Sequence, residues 1–183
     1  MNIKEIKAAL LNKNIITIAG DVCDDMMRDA GEKLVELYHK GSPDIYVLIS
    51  SFGGSVECGL DIVDLFNLYK GKKTAIVCHQ AYSIAAVILQ ACDKRLATPY
   101  SRILIHNLSK RLSLDTLRDE KKLREAILEA EKLQTQVYNL VAKRIEKHPD
   151  VIREEYDKNK SMSVQEALAF GLLDGIWDKP LPD

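Results

Sequence analysis

The stretch Thr74-Ala75-Ile76-Val77-Cys78-His79-Gln80-Ala81-Tyr82-Ser83-Ile84-Ala85-Ala86-Val87-Ile88-Leu89 runs from a β-branched strand through a sharp turn into an apolar helix, with a hydroxyl at the hinge. A serine at the first turn of such a helix holds its Oγ out of the sheet. Free backbone N–H groups and the positive end of the helix dipole lie beside it and stabilise an oxyanion. That arrangement suits acyl transfer. The same residue type also caps helices without doing any chemistry, so the rest of the chain decides between nucleophile and cap.

Two further segments favour the nucleophile. In Asp44-Ile45-Tyr46-Val47-Leu48-Ile49-Ser50-Ser51-Phe52-Gly53-Gly54-Ser55-Val56 a nearly uninterrupted buried-strand run ends in a glycine pair. It leads into Gly59-Leu60-Asp61-Ile62-Val63-Asp64-Leu65-Phe66, which has helical period. Glycines at such a corner take positive φ and let a substrate approach bare N–H groups; the simpler alternative is a plain strand-to-helix turn. In Arg102-Ile103-Leu104-Ile105-His106-Asn107 a histidine closes a short apolar strand, where it either carries a proton or is merely hydrogen-bonded at a strand end.

Outward from these segments, the pattern predicts strands at 14–19, 44–50, 74–78, 94–97 and 101–106, and helices at 24–40, 57–69 and 83–91. Strands alternating with helices of these lengths imply right-handed βαβ units and an α/β sheet. Between His106 and Pro149 lies a long helix, with apolar Leu117, Leu123, Ile127, Ala130, Leu133, Val137, Leu140, Val141 and Ile145 spaced by three or four over most of its length. Its other face, dense in Arg, Lys and Glu, reads as solvated. Two short helices, 150–156 and 163–170, complete the pattern, the second stopped by Gly171.

At 183 residues, 46% hydrophobic and 29% charged, the chain predicts one soluble domain, 1–183. Lys plus Arg is 26 and Asp plus Glu is 27, so the net charge of -1 gives no electrostatic case for nucleic acid or an anionic membrane. The first residues lack a signal-peptide core and no run reaches the length of a membrane span, which points to the cytoplasm. Cys23, Cys58, Cys78 and Cys92 form no C-x-x-C pair, lie mostly within apolar strands and helices and read as reduced core thiols. His39 and His148 sit in polar helix-end contexts and read as surface residues, and His79 as packed or solvent-facing. None of the histidines has a partner at ligand spacing, so no metal is expected.

Gly53-Gly54 after a buried strand, Gln80-Ala81-Tyr82-Ser83 and Arg102-Ile103-Leu104-Ile105-His106, in this order and spacing, resemble the Clp-type serine peptidase subunits (ClpP family). Ser163-Val164-Gln165-Glu166-Ala167-Leu168-Ala169-Phe170-Gly171-Leu172-Leu173-Asp174 is similar to that family's C-terminal helix and turn, and the resemblance spans about Ile6 to Ile176. It implies the ClpP/crotonase-like spiral of βαβ units with a long protruding handle helix, the handle region at about 108–148. It also implies the roles. Ser83 attacks the scissile carbonyl, His106 acts as general base and then general acid, and the N–H groups of Gly54 and Ile84 hold the oxyanion, without metal or cofactor. The third position of the family's triad falls on Asn159 where the family has aspartate. Such a change lowers kcat by about 10⁴ in the best-known serine protease, because the amide holds the wrong imidazole tautomer. Two readings stay open: Asn159 orients His106 through its side-chain oxygen, or Asp157 supplies a carboxylate from the same face of an extended segment. Phe52 stands where the family has proline, and His79 where it has glycine.

The resemblance further implies a homo-oligomer of two stacked heptameric rings, a chamber acting on peptides or unfolded polypeptides, and an AAA+ unfoldase partner. Two departures bear on this. Leu108-Ser109-Lys110-Arg111-Leu112-Ser113-Leu114-Asp115 replaces the family's glycine-rich strand, and the chain begins close to the residues matching the first helix, so a peptidase independent of an unfoldase is also expected. The alternatives are a catalytically silent subunit of a mixed ring, motivated by Asn159; a crotonase-superfamily acyl-CoA enzyme; and a phage-type capsid-maturation peptidase of similar fold.

Overall fold

The computed structural model describes residues 9–109 and 111–181, and the chain divides into two units, residues 1–105 with 160–183 and residues 106–159. In the first unit the order is β1 (Ile15–Val22), α1 (Asp24–His39), β2 (Ile45–Gly54), α2 (Val56–Leu68), β3 (Lys73–Tyr82), α3 (Ile84–Gln90), β4 (Lys94–Ala97) and β5 (Arg102–Leu104). After the second unit the chain returns with β6 (Met162–Ser163), α7 (Val164–Phe170) and β7 (Gly175–Ile176). The strands form one mixed sheet, ordered β1-β2-β3-β4-β7 with parallel pairing; β5 pairs parallel to β3 and antiparallel to β6. Ile18, Val47, Ile49 and Val77 are fully buried, as expected of parallel strands covered on both faces. The expected α/β class is the class observed.

The three long strands β1, β2 and β3 run past their predicted ends, to Val22, Gly54 and Tyr82. The residues just beyond those predicted ends are kinks inside continuous strands. Between Ala19↔Ser50 and Asp21↔Gly53, β1 advances two residues while β2 advances three. Between Ile49↔Val77 and Ser51↔Ala81, β2 advances two and β3 four. Gly20, Gly53 and His79 carry the positive φ these bulges require, at 90°, 99° and 77°. A histidine there bears a left-handed penalty of about 1–2 kcal/mol, whereas glycine costs about 0.5–1 kcal/mol through chain entropy. His79 is exposed, so His79→Gly is expected to raise the unfolding free energy by about 0.5–1 kcal/mol, read from the denaturant midpoint.

The bulge in β3 is also a fork. Thr74 to Val77 pair with β4, and Gln80 to Tyr82 pair with β5. Buried Ser101 fills the fork: its Oγ donates to the Val77 carbonyl at 2.9 Å and accepts from the His79 N–H at 3.1 Å. At the other end of the sheet β7 is locked onto β4 by Arg95, which is 5% exposed. Its guanidinium donates to both carboxylate oxygens of Asp174, to Gln90 Oε1 at 2.6 Å and to the Gly171 carbonyl at 2.9 Å. Helix α7 begins with a capping box of Ser163 and Glu166 and stops, as predicted, at Gly171 with φ 98°.

The second unit comprises α4 (Leu114–Arg118), α5 (Glu120–Ile145) and α6 (Pro149–Asp157). The expected long helix is interrupted at Asp119, whose carboxylate accepts from the N–H groups of Lys121 and Lys122 and so starts α5 anew. Only the C-terminal half of α5 is buried, at Val137, Tyr138, Val141 and Ala142. Tyr138 meets Tyr156 of α6 edge to face, with ring centroids 4.9 Å apart. No helix among the described residues is long and apolar enough to cross a membrane.

Candidate active site

Ser83 joins β3 to α3. Its backbone, φ 56° and ψ −130°, is a conformation that costs a non-glycine residue about 1–3 kcal/mol and persists only where the surroundings enforce it. Its N–H donates to the Leu104 carbonyl at 2.8 Å, which fastens the turn to β5. Ser83 occupies the N-cap position of α3, yet its hydroxyl makes no capping bond. By contrast Ser55, Ser113 and Ser163, at the N-caps of α2, α4 and α7, each accept from the backbone N–H three residues on. The capping alternative therefore fails at Ser83, whose half-buried Oγ makes no hydrogen bond among the described residues.

Glycines make room for this turn. A Cβ on Gly53 would fall 2.7 Å from Ser83 Cβ and 2.9 Å from the Tyr82 carbonyl oxygen. The Gly53 N–H is held by Ser51 Oγ at 3.0 Å, and that hydroxyl donates to the Gly20 carbonyl at 2.6 Å. A Cβ on Gly54 would meet the Val22 carbonyl oxygen at 2.3 Å. Gly59, inside α2, is a supporting residue that the sequence did not single out: a Cβ there would lie 2.1 Å from Ile84 Cγ1, so its absence lets α2 seat the first residue of α3. A mid-helix glycine opposite an apolar helix was the available signal. Phe52 is 67% exposed and meets the Tyr82 ring edge to face at 5.8 Å.

The proton-carrying candidates belong to the second unit. The Nδ1 atom of half-buried His106 lies 2.8 Å from the main-chain oxygen of Asn107. A carbonyl only accepts, so Nδ1 carries the hydrogen, and in the neutral ring Nε2 keeps its lone pair. Asp157 is the last residue of α6 rather than part of an extended segment, so the shared face envisaged for Asp157 and Asn159 does not form. Its Oδ1 accepts instead from Asn107 Nδ2 at 2.7 Å. Asn159 follows in the left-handed region, φ 46°, exposed, and its side chain makes no hydrogen bond among the described residues. The Tyr138 hydroxyl donates to Asn107 Oδ1, and Gln134 Oε1 accepts from the Leu108 N–H at 2.6 Å. Asn107, Leu108, Gln134, Tyr138 and Asp157 line an open cleft of about 520 Å³. Ser83, Gly54 and Ile84 thus lie in the first unit, and His106, Asp157 and Asn159 in the second. No group of three or more His, Cys, Asp or Glu side chains able to hold a metal occurs among the described residues.

The profile of the Clp protease family matches residues 1–180. Over 176 residues the chain is 34% identical to an ATP-dependent Clp protease proteolytic subunit of Ligilactobacillus salivarius (strain UCC118), covering 94% of this chain and 87% of that protein. The chain belongs to the Clp protease family, and its mixed α/β sheet with flanking helices is consistent with that fold.

Proposed function

We propose that the protein is a serine endopeptidase that hydrolyses peptides and unfolded polypeptides within an oligomeric chamber, with Ser83 as nucleophile and His106 as general base. The observation that carries this reading is the strained Ser83 turn, whose hydroxyl caps nothing although it stands at a helix N-terminus. Strained backbone clusters at functional sites, and here it comes with a hydroxyl that has no capping role. Ile84 lies at the first turn of α3 and Gly54 at the β2 corner, so their N–H groups are the oxyanion donors in this reading. His106 follows by two residues the Leu104 whose carbonyl holds the Ser83 N–H, and its Nε2 lone pair is the acceptor a general base needs. Assembly as stacked heptamers in the cytoplasm, with or without an AAA+ unfoldase, belongs to the same proposal and is supported by family membership.

The test is labelling of the purified full chain by a fluorophosphonate, without ATP or partner, followed by peptide mapping. The expected product is a single adduct on Ser83, accompanied by hydrolysis of a short fluorogenic peptide. Absence of both in oligomeric fractions would overturn the reading and leave a silent ring subunit, which Asn159 at the third position favours. Saturable coenzyme A binding in its place would indicate the acyl-CoA alternative.

A further inference from the structure

We propose that the Asn107–Leu108 peptide group is the positioning element of this site: its carbonyl holds His106 as the Nδ1–H tautomer, and Gln134, Tyr138 and Asp157 hold the peptide. The inference rests on the reading of His106 as general base, and concerns which groups orient it. In a trans peptide the C=O and N–H point in opposite directions. Here the Leu108 N–H donates to Gln134 Oε1 at 2.6 Å, while the oxygen of the same peptide lies 2.8 Å from His106 Nδ1. A bond on one side therefore aims the carbonyl to the other.

The Asn107 side chain is fixed independently. Its Nδ2 donates to Asp157 Oδ1 at 2.7 Å and its Oδ1 accepts from the Tyr138 hydroxyl. The opposite amide orientation would set Oδ1 against the Asp157 carboxylate, two acceptors face to face, so the assignment is unambiguous. Tyr138 is 7% exposed and packed against Tyr156. Burial first, and the Asp157 charge second, push its hydroxyl above the ordinary tyrosine value, so it stays protonated and donates. The carbonyl thus takes the orienting half of the third triad member's role. Being neutral, it supplies little of the other half, the stabilisation of imidazolium, which predicts a slow enzyme.

The test uses the full chain labelled with ¹⁵N in its histidine rings. The expected result is the Nδ1–H form of neutral His106 in the wild type, a shift toward Nε2–H in Gln134→Ala and in Tyr138→Phe, and restoration in Gln134→Glu, which keeps the acceptor. Peptide hydrolysis should fall in kcat by about tenfold or more in the first two, with KM within about twofold. Tyr138→Phe removes one hydroxyl and keeps the ring packing, so it reports on the site even where Gln134→Ala fails to fold. An Nε2–H ring in the wild type, or a tautomer that answers to Asn159→Ala and to neither of the other variants, would overturn the inference. The expected tautomer pattern without any Ser83 labelling would leave it standing and refute the peptidase reading instead.

Discussion

Ser83→Ala is expected to lower the hydrolysis of a short fluorogenic peptide at least about 10²-fold in kcat, and the size of the fall is itself informative. In the best-dissected serine protease, loss of nucleophile or base costs about 10⁶ and loss of the orienting carboxylate about 10⁴. Where orientation is absent altogether, nucleophile and base together retain only the ratio of these, about 10², over what the oxyanion donors achieve alone. Where a carbonyl supplies orientation without charge, the fall in Ser83→Ala lies between about 10² and 10⁶. Since the Ser83 Oγ accepts no capping bond, its removal should leave the stability of α3 unchanged to within a few tenths of a kcal/mol, unlike removal of a true serine cap at about 1 kcal/mol. A large loss of stability with a small loss of activity would reverse the assignment and make Ser83 structural.

The second large effect is expected at Gly53. With φ at 99°, any side chain bears a left-handed penalty, and its Cβ would stand 2.7 Å from Ser83 Cβ and 2.9 Å from the Tyr82 carbonyl oxygen. Both are atoms close to the main chain, so relief requires the Ser83 turn itself to move. Gly53→Ala should therefore cost about 2–4 kcal/mol in chemical denaturation, combining conformational strain with overpacking. A shift of the nucleophile on the order of 1 Å should lower kcat about 10²-fold or more. Gly20→Ala separates the two contributions. Gly20 has φ 90° but nothing within 4 Å of an added Cβ, so it bears the conformational penalty of about 1–2 kcal/mol alone. Equal costs at the two positions would mean that Gly53 does not press on Ser83.

The Ser83 turn and the glycine pair were legible in the sequence because a change of period, from strand to helix, falls on them. The C-terminal ends of β1, β2 and β3 were not. Gly20, Gly53 and His79 look like terminators, yet the sheet continues beyond each, because a bulge spends extra residues without altering which side chains are apolar. The two-residue strands β6 and β7 carry no local signal and exist through their partners Arg102, Ile103, Leu96 and Ala97. In the second unit, polar Asp157-Lys158-Asn159 reads as extended, but Pro149 and His148 start a helix that carries Asp157 at its end. Gln134 and Tyr138 were hidden differently: they sit on α5, Gln134 26 residues from the Leu108 N–H it receives, on a helix whose polar positions read as solvated.

The Arg95 lock bears on when the fold can be completed during synthesis. Its carboxylate partner lies 79 residues later in the chain, and the Gly171 carbonyl 76 later. Until that turn emerges, a nascent chain that has already formed β1 to β4 holds the Arg95 guanidinium without the Asp174 carboxylate and the Gly171 carbonyl that receive it in the finished fold. The sheet edge at β4 meanwhile stays unpaired and open to association with other chains. Completion of the sheet thus waits on the emergence of Asp174, and translational pausing before that point should prolong the interval in which the β4 edge is exposed.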